Sequence, residues 1–305
     1  MIEEILKVLP NYICVEISKV NSLSNLNEIR LRARQKIILK CINQEIILDV
    51  IVTTKIILDI LLNISKNSIY AIQSDINNGY VIIRGGHRVG ICGEVVYVDG
   101  KIKNIKNISS LNIRVARQIY GCADTVLPEI VSNGKLLNTL IVSPPGCGKT
   151  TLIRDIIRQV SNGVEAINLK GKNISLIDER GEIAAVYNGV PCLDVGKRTD
   201  VMSNVDKSIG MKMMIRSMAP DIIATDEIGK KEDIIAIKEA VLSGVNVLFT
   251  MHGDTIKAIL KNPNIKELLD LEIFSKVILL SSGIVPGIIE KIYDVKDIGV
   301  WYVWN

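Results

Sequence analysis

The sequence predicts an α/β fold in which a mainly parallel, helix-covered sheet follows a smaller α+β domain. Three observations carry this. Hydrophobic residues make up 48% of the chain but aromatics only 4%, so Ile, Val and Leu supply the core, as suits parallel strands buried on both faces. From about Leu136 onward, apolar strands alternate with helical patterns of roughly 10–15 residues, the spacing of βαβ units. Before that point the strands alternate polar and apolar, as half-buried strands do. A length of 305 residues also fits two domains, at roughly 100–200 residues each.

The elements follow in chain order. Residues 2–9 read as a short amphipathic helix ended by Pro10. Residues 28–34, 37–42 and 45–48 carry the strand pattern. Thr54 is expected to cap a helix reaching about Lys66, and Ser68 another reaching Asn77. Residues 80–98 read as a hairpin turning through Gly85 and Gly86. An Asn/Lys-rich stretch at 101–107 follows, and then the pattern changes. The expected organisation is an N-terminal α+β domain over 1–118, a linker over 119–136, and an α/β domain over 137–305.

Charge and cysteines narrow the function classes. The net charge of +4 comes from 37 basic and 33 acidic residues, too small an excess to imply nucleic acid. Six scattered cysteines without a CxxC pair, and only two histidines, argue against structural zinc and for reduced thiols in a cytosolic protein. A mean hydropathy of +0.30 raises the membrane question. The longest uncharged stretches, such as 277–289, run to about 13 residues, whereas a spanning helix needs roughly 20. No direct span is expected, and the first residues lack the pattern of a secretory signal.

The second domain opens on a phosphate-binding loop. A strand over 137–142 runs into Ser143-Pro-Pro-Gly-Cys-Gly-Lys-Thr-Thr, and a helix follows from Lys149 to about Val160. Strand, glycine loop and helix stand in the P-loop order, with Ser143 where the strict pattern has Gly. This specifies a P-loop NTPase domain with a RecA/AAA-like sheet. Gly146 and Gly148 let backbone N–H groups curl around phosphate oxygens, within a binding loop of Ser143, Pro144, Pro145, Gly146, Cys147, Gly148, Lys149, Thr150 and Thr151. The helix N-terminus places partial positive charge beneath the anion. Lys149 is expected to reach the β- and γ-phosphates of ATP, and the Thr150 hydroxyl to ligate Mg²⁺.

Two later strands end in carboxylates: Asp178-Glu179-Arg180 and Asp226-Glu227. Ligands in open α/β sheets sit at the carboxyl ends of strands, so both pairs should face the loop. Asp226 fits the acid that holds Mg²⁺ through water, with Asp178 beside it. Glu227 and Glu179 both stand as candidates for the carboxylate that orients the attacking water. The next strand ends in Met251-His252-Gly253, where His252 can sense the γ-phosphate or bond the catalytic carboxylate.

These motifs, in this order, resemble those of the type II/type IV secretion and pilus ATPases. A narrower resemblance is to the stage III sporulation protein AA family. It rests on Ile83-Arg-Gly-Gly-His-Arg-Val-Gly-Ile-Cys-Gly, Asn112-Ile-Arg-Val-Ala-Arg, Ile177-Asp-Glu-Arg-Gly-Glu-Ile, Asp194-Val-Gly-Lys-Arg-Thr-Asp, Ile215-Arg-Ser-Met-Ala-Pro-Asp and Thr250-Met-His-Gly. One departure is that the broader group usually carries Gly before the Walker B Glu, where this chain has Asp226. The resemblance implies Mg²⁺-dependent ATP hydrolysis by a homo-oligomer, a hexamer, with nucleotide sites between an N-terminal domain and the P-loop domain. Hydrolysis would rotate the two domains to drive a mother cell–forespore channel. An inner-membrane partner would recruit the ATPase to the membrane from the cytoplasm of the mother cell.

The resemblance also implies that arginines complete each site. Arg84, Arg88, Arg114 and Arg117 stand in the N-terminal domain, and Arg180, Arg198 and Arg216 beside the acidic strands, with Arg198 and Arg216 the first choices. Two rival readings compete. A nucleic-acid-directed AAA-type ATPase (a loader or helicase-like protein) would prefer a polar sensor such as Asn where His252 stands, and a stronger basic field. A non-hydrolysing ATP-gated scaffold would bind nucleotide without releasing phosphate.

Overall fold

The computed structural model describes residues 2–21, 23–42, 44–281 and 287–301, so part of the uncharged stretch at 277–289 lies outside the described residues. Two compact units are present. One comprises Met1–Arg117 with Ala185–Leu193, the other Gln118–Ala184 with Asp194–Asn305.

The first unit is a six-stranded antiparallel sheet covered on one face. Its strands are β1 (Leu26–Arg32), β2 (Lys36–Cys41), β3 (Glu45–Ile51), β4 (Tyr80–Ile83), β5 (His87–Val98) and β6 (Lys101–Arg114), in the order β3-β2-β1-β6-β5-β4. Alternation fixes the buried face: Ile29 and Leu31 of β1, Ile37 and Leu39 of β2, and Leu111 and Ile113 of β6 all point into the core. Helices α1 (Ile2–Leu6), α2 (Asn11–Ser18), α3 (Thr54–Ile64) and α4 (Gln73–Asn77) contribute the rest of that core. Helix α3 starts one position earlier than expected, because Thr53, not Thr54, accepts the cap bond from Ile56 N at 3.2 Å. Ser68 precedes a 3-10 turn, Ile69–Ile72, and makes no side-chain cap bond. The Asn/Lys-rich stretch is the first half of β6, where the exposed edge of a long hairpin tolerates polar residues.

The second unit opens with helix α5 (Leu127–Ile130) and the two-residue strands β7 (Val131–Ser132) and β8 (Lys135–Leu136). Strand β9 (Thr139–Ser143) and helix α6 (Lys149–Asn162) follow, then β10 (Ile174–Asp178). A small hairpin of β11 (Val186–Tyr187) and β12 (Val190–Pro191) belongs to the first unit, where a Cβ on Gly86 would stand 2.4 Å from Ala185 Cβ. The second unit continues with β13 (Thr199–Ser203), α7 (Lys207–Met218), β14 (Ile222–Thr225), α8 (Lys231–Leu242) and β15 (Asn246–His252). It ends with α9 (Ile256–Leu260), α10 (Pro263–Asp270), β16 (Lys276–Leu280), β17 (Ile289–Asp294) and α11 (Val295–Trp301).

Its sheet order is β13-β10-β14-β15-β9-β16-β17, parallel except for the last strand. Every residue of β9, β10 and β14 is buried, so burial in these largely apolar strands is continuous, with no alternation. Helix α6 contributes Leu152, Ile153, Ile156, Ile157 and Val160, each at most 1% exposed and worth about 1.5–3 kcal/mol in burial. Phe249 and Phe274 meet edge to face at 6.4 Å. This unit has the α/β P-loop NTPase architecture, and the other is α+β. Among the described residues, no helix is long and apolar enough to cross a membrane.

Candidate functional site

Strand order decides which residues meet. Because β10, β14, β15 and β9 lie side by side and parallel, their carboxyl ends line one edge of the sheet. That edge presents Asp178 at the end of β10, Asp226 and Glu227 after β14, His252 at the end of β15 and the glycine loop after β9. His252 is in register with Ser143, the last residue before the loop.

The loop has the shape its glycines allow. Gly146 and Gly148 have φ of +78° and +89°, in the left-handed region open to glycine. Ser143 is buried and its hydroxyl donates to the Pro144 carbonyl at 2.8 Å. Pro145 and Gly146 are exposed, while Pro144, Cys147, Gly148, Thr150 and Thr151 are half-buried around the start of α6. The Cys147 carbonyl accepts from Gly287 N–H at 2.9 Å. Lys149, only 7% exposed, folds back over the loop and donates to Ser143 O at 3.0 Å, Ser143 Oγ at 3.3 Å and Pro144 O at 3.3 Å. Burial holds its pKa below the ordinary lysine range, although Glu227, Cys147 and Asp226 pull the other way.

A chain of contacts runs from this lysine across the sheet edge. Lys149 Nζ lies 2.9 Å from His252 Nδ1, and His252 Nε2 lies 2.7 Å from Glu227 Oε1. An ammonium can only donate, so Nδ1 accepts and the Nε2–H donates to the carboxylate. Arg180 donates to the other oxygen, Glu227 Oε2, at 2.9 Å. Burial alone would raise the Glu227 pKa, but the His252 hydrogen bond and the charges of Arg180 and Lys207 outweigh it and hold it low. The backbone of Glu227 is left-handed at φ +49°, a state that costs a non-glycine residue about 1–3 kcal/mol. It is held there by Thr250, whose hydroxyl accepts from Glu227 N–H at 3.0 Å.

The remaining acids differ from one another. Asp226 is 4% exposed, and its Oδ1 is buried with no hydrogen-bond partner among the described residues. Burial pushes its pKa up to about 6, with Lys207 opposing and Asp178, Glu182 and Glu227 assisting. A buried carboxylate oxygen that no donor reaches suits a cation beside a phosphate loop. Glu179 is instead bound to Lys207 Nζ at 2.5 Å.

Three sequence expectations change here. Asp178, expected beside Mg²⁺, turns into the chain: its two oxygens accept from Glu182 N (2.9 Å), Ile183 N (3.2 Å) and Ala184 N (2.8 Å). It is fully buried, its pKa is raised by that burial, and with Arg154, which donates to the Glu182 and Ile183 carbonyls, it anchors the loop carrying Glu179 and Arg180. Arg198 precedes β13, whose Thr199 is in register with Ile174, so it stands at the opposite edge of the sheet. There it donates to Ser161 O at 2.9 Å, at the far end of α6, about 20 Å along the helix from Lys149. Arg216 is exposed in the last turn of α7, about 14 Å along that helix from Lys207. Neither arginine joins this chain's loop. The N-terminal arginines Arg84, Arg88, Arg114 and Arg117 lie on β-strands or loops of the first unit.

The sequence reading passed over Lys207 and the Thr250 hydroxyl. Lys207 carried a signal: it directly follows the Asp206 cap, where a helix dipole disfavours a cation.

Comparison with known proteins agrees with this architecture. The family model for sporulation stage III, protein AA matches residues 2–300. Stage III sporulation protein AA of Bacillus subtilis (strain 168) is 38% identical over 296 residues, covering 96% of this chain and 95% of that protein. Among solved structures, the Legionella pneumophila ATPase DotB superposes with a TM-score of 0.59 at 16% identity, over 89% of this chain and 76% of that one. The pilus retraction motor PilT with bound ADP gives 0.54 at 16% identity, over 87% and 77%. These two likenesses concern the fold alone. The match along almost the whole length shows that the chain belongs to the sporulation stage III, protein AA family.

Proposed function

We propose that the chain is an ATPase that hydrolyses ATP with Mg²⁺ and serves sporulation as an oligomeric, secretion-type motor. The observation that carries this reading is the contact chain Lys149–His252–Glu227 beside the unpartnered Asp226 Oδ1. Through His252 it links the phosphate-binding lysine to a carboxylate able to handle water.

In this reading the loop glycines turn amide N–H groups toward the phosphates, and Lys149 leaves the Ser143 and Pro144 carbonyls to neutralise them. Thr150 and Asp226 would hold Mg²⁺, which supplies further charge neutralisation on the phosphate oxygens. Glu227 orients the attacking water and takes its proton. Its strained backbone and two-sided hold by His252 and Arg180 favour it over Glu179, which Lys207 occupies. Because His252 joins Lys149 to Glu227, withdrawal of the lysine toward phosphate frees His252 Nδ1, and the change reaches the carboxylate through the Nε2 bond. Family membership supports the sporulation setting. A homo-oligomer, recruited to the membrane by an inner-membrane protein partner, completes the reading.

Glu227→Gln tests it. The variant is expected to bind ATP within about threefold of wild type while phosphate release falls about 10²-fold or more, the usual range for losing a general base. Glu179→Gln is expected to retain more activity than Glu227→Gln. The reverse order would move the base to Glu179.

A further inference from the structure

Helix α7 begins with a lysine that the mechanism above leaves unused. Lys207 is the first residue of the helix, directly after its cap Asp206, where the dipole works against a cation. Its side chain is 6% exposed, so it also pays for desolvation. A lysine in that position needs compensating anions, and it has them. Nζ bonds Glu179 Oε2, and its charge acts on both Asp226 and Glu227.

The backbone that carries it is fixed. A Cβ at Gly210 would meet Ile177 Cγ2 at 2.9 Å and Val205 Cγ1 at 3.0 Å, so the first turns of α7 sit directly on β10. Asp206 in turn accepts from Ser208 N at 3.0 Å and lies 3.8 Å from Lys230 Nζ. The lysine is therefore aimed at the acidic edge by a rigid support.

We propose that Lys207 is a positioning residue of the nucleotide site, a resident cation that holds Glu179 aside and offsets the charge of Glu179, Asp226 and Glu227. Its presence leaves Asp226 for the metal and Glu227 for water. The inference rests on the ATPase reading. Without Lys207, Glu227 keeps Arg180 and His252, but Glu179 loses the ammonium bonded to it and Asp226 loses a neighbouring cation, so Glu179 competes for the metal and the water.

The test uses the full chain as wild type, Lys207→Met, Lys207→Arg, Glu179→Gln and the double variant Lys207→Met/Glu179→Gln. Three quantities are read: kcat and KM for ATP, Mn²⁺ affinity without nucleotide by electron paramagnetic resonance, and Tm. Lys207→Met is expected to lower kcat about tenfold or more, raise KM, and tighten Mn²⁺ binding severalfold, with Lys207→Arg close to wild type. The double variant should recover most of the lost kcat, because the uncompensated Glu179 charge is gone; couplings of this size are common between neighbouring charges. A purely structural lysine would show no such rescue, so a double variant as slow as Lys207→Met overturns the proposal. If Lys207→Met does not fold, a double variant that folds with near wild-type kcat supports the proposal, and one that folds with the kcat loss overturns it. If wild type releases no phosphate, the ATPase reading fails and the Mn²⁺ measurement decides here: unchanged affinity in Lys207→Met overturns the proposal, tightened affinity supports it.

Discussion

Asp226 has one buried carboxylate oxygen that no donor among the described residues reaches, and the cost of that arrangement is measurable. Its pKa rises from the usual value near 3.9 to about 6, so the folded state binds the proton more tightly than the unfolded state between those values. Stability contributed by this group is therefore lost as pH rises from about 4 to 6, to a penalty of at most about 3 kcal/mol above that range. Asp226→Asn is expected to raise the unfolding free energy of the ligand-free protein at pH 7.5 by up to that amount, with the gain vanishing near pH 4. Urea unfolding at the two pH values checks this. A gain equal at both would show that the charge is not the cause. The position of Asp226 was legible because a strand ending in Asp-Glu after a P-loop has few other uses. Asp178 has the same local pattern and a different fate, since only the fold of residues 182–184 supplies the three amides that claim it.

Helices and strands set how far each residue can reach. Arg198 shows this: it lies close in sequence to an acidic-edge strand but precedes it, and a parallel register sends it to the other edge of the sheet. There it serves α6 by closing the Ser161 carbonyl, one of the orphan acceptors at a helix end. Arg198→Ala is expected to cost about 1–3 kcal/mol of stability while nucleotide affinity stays unchanged, which thermal unfolding and a fluorescent ATP analogue together would measure. Lost affinity at unchanged stability would return Arg198 to the site. Gly210→Ala forces a methyl against Ile177 and Val205 and is expected to cost about 1–3 kcal/mol, moving the α7 N-terminus with it. The strands were readable in sequence because burial leaves a period of its own, continuous in β9, β10 and β14 and alternating in β1 and β2. Helix α2 was missed because Pro10 reads as a stop, although it also serves as the entry to a new helix.

At the scale of the whole molecule, the aliphatic excess has two homes. One is the half-covered antiparallel sheet of the first unit, the other the mainly parallel sheet of the second, whose central strands are buried. Those two cores hold much of the apolar content behind a mean hydropathy of +0.30. No described helix is long and apolar enough to cross a membrane. Family membership covers both units, residues 2–300. The oligomeric reading predicts particles at a multiple of the 33.6 kDa protomer when ATP and Mg²⁺ are present. Phosphate release measured together with particle mass, for wild type and Lys149→Ala, tests the central proposal most directly. Wild type should release phosphate as an oligomer, and Lys149→Ala should fall to background. A wild type that stays monomeric and releases no more phosphate than Lys149→Ala would contradict it.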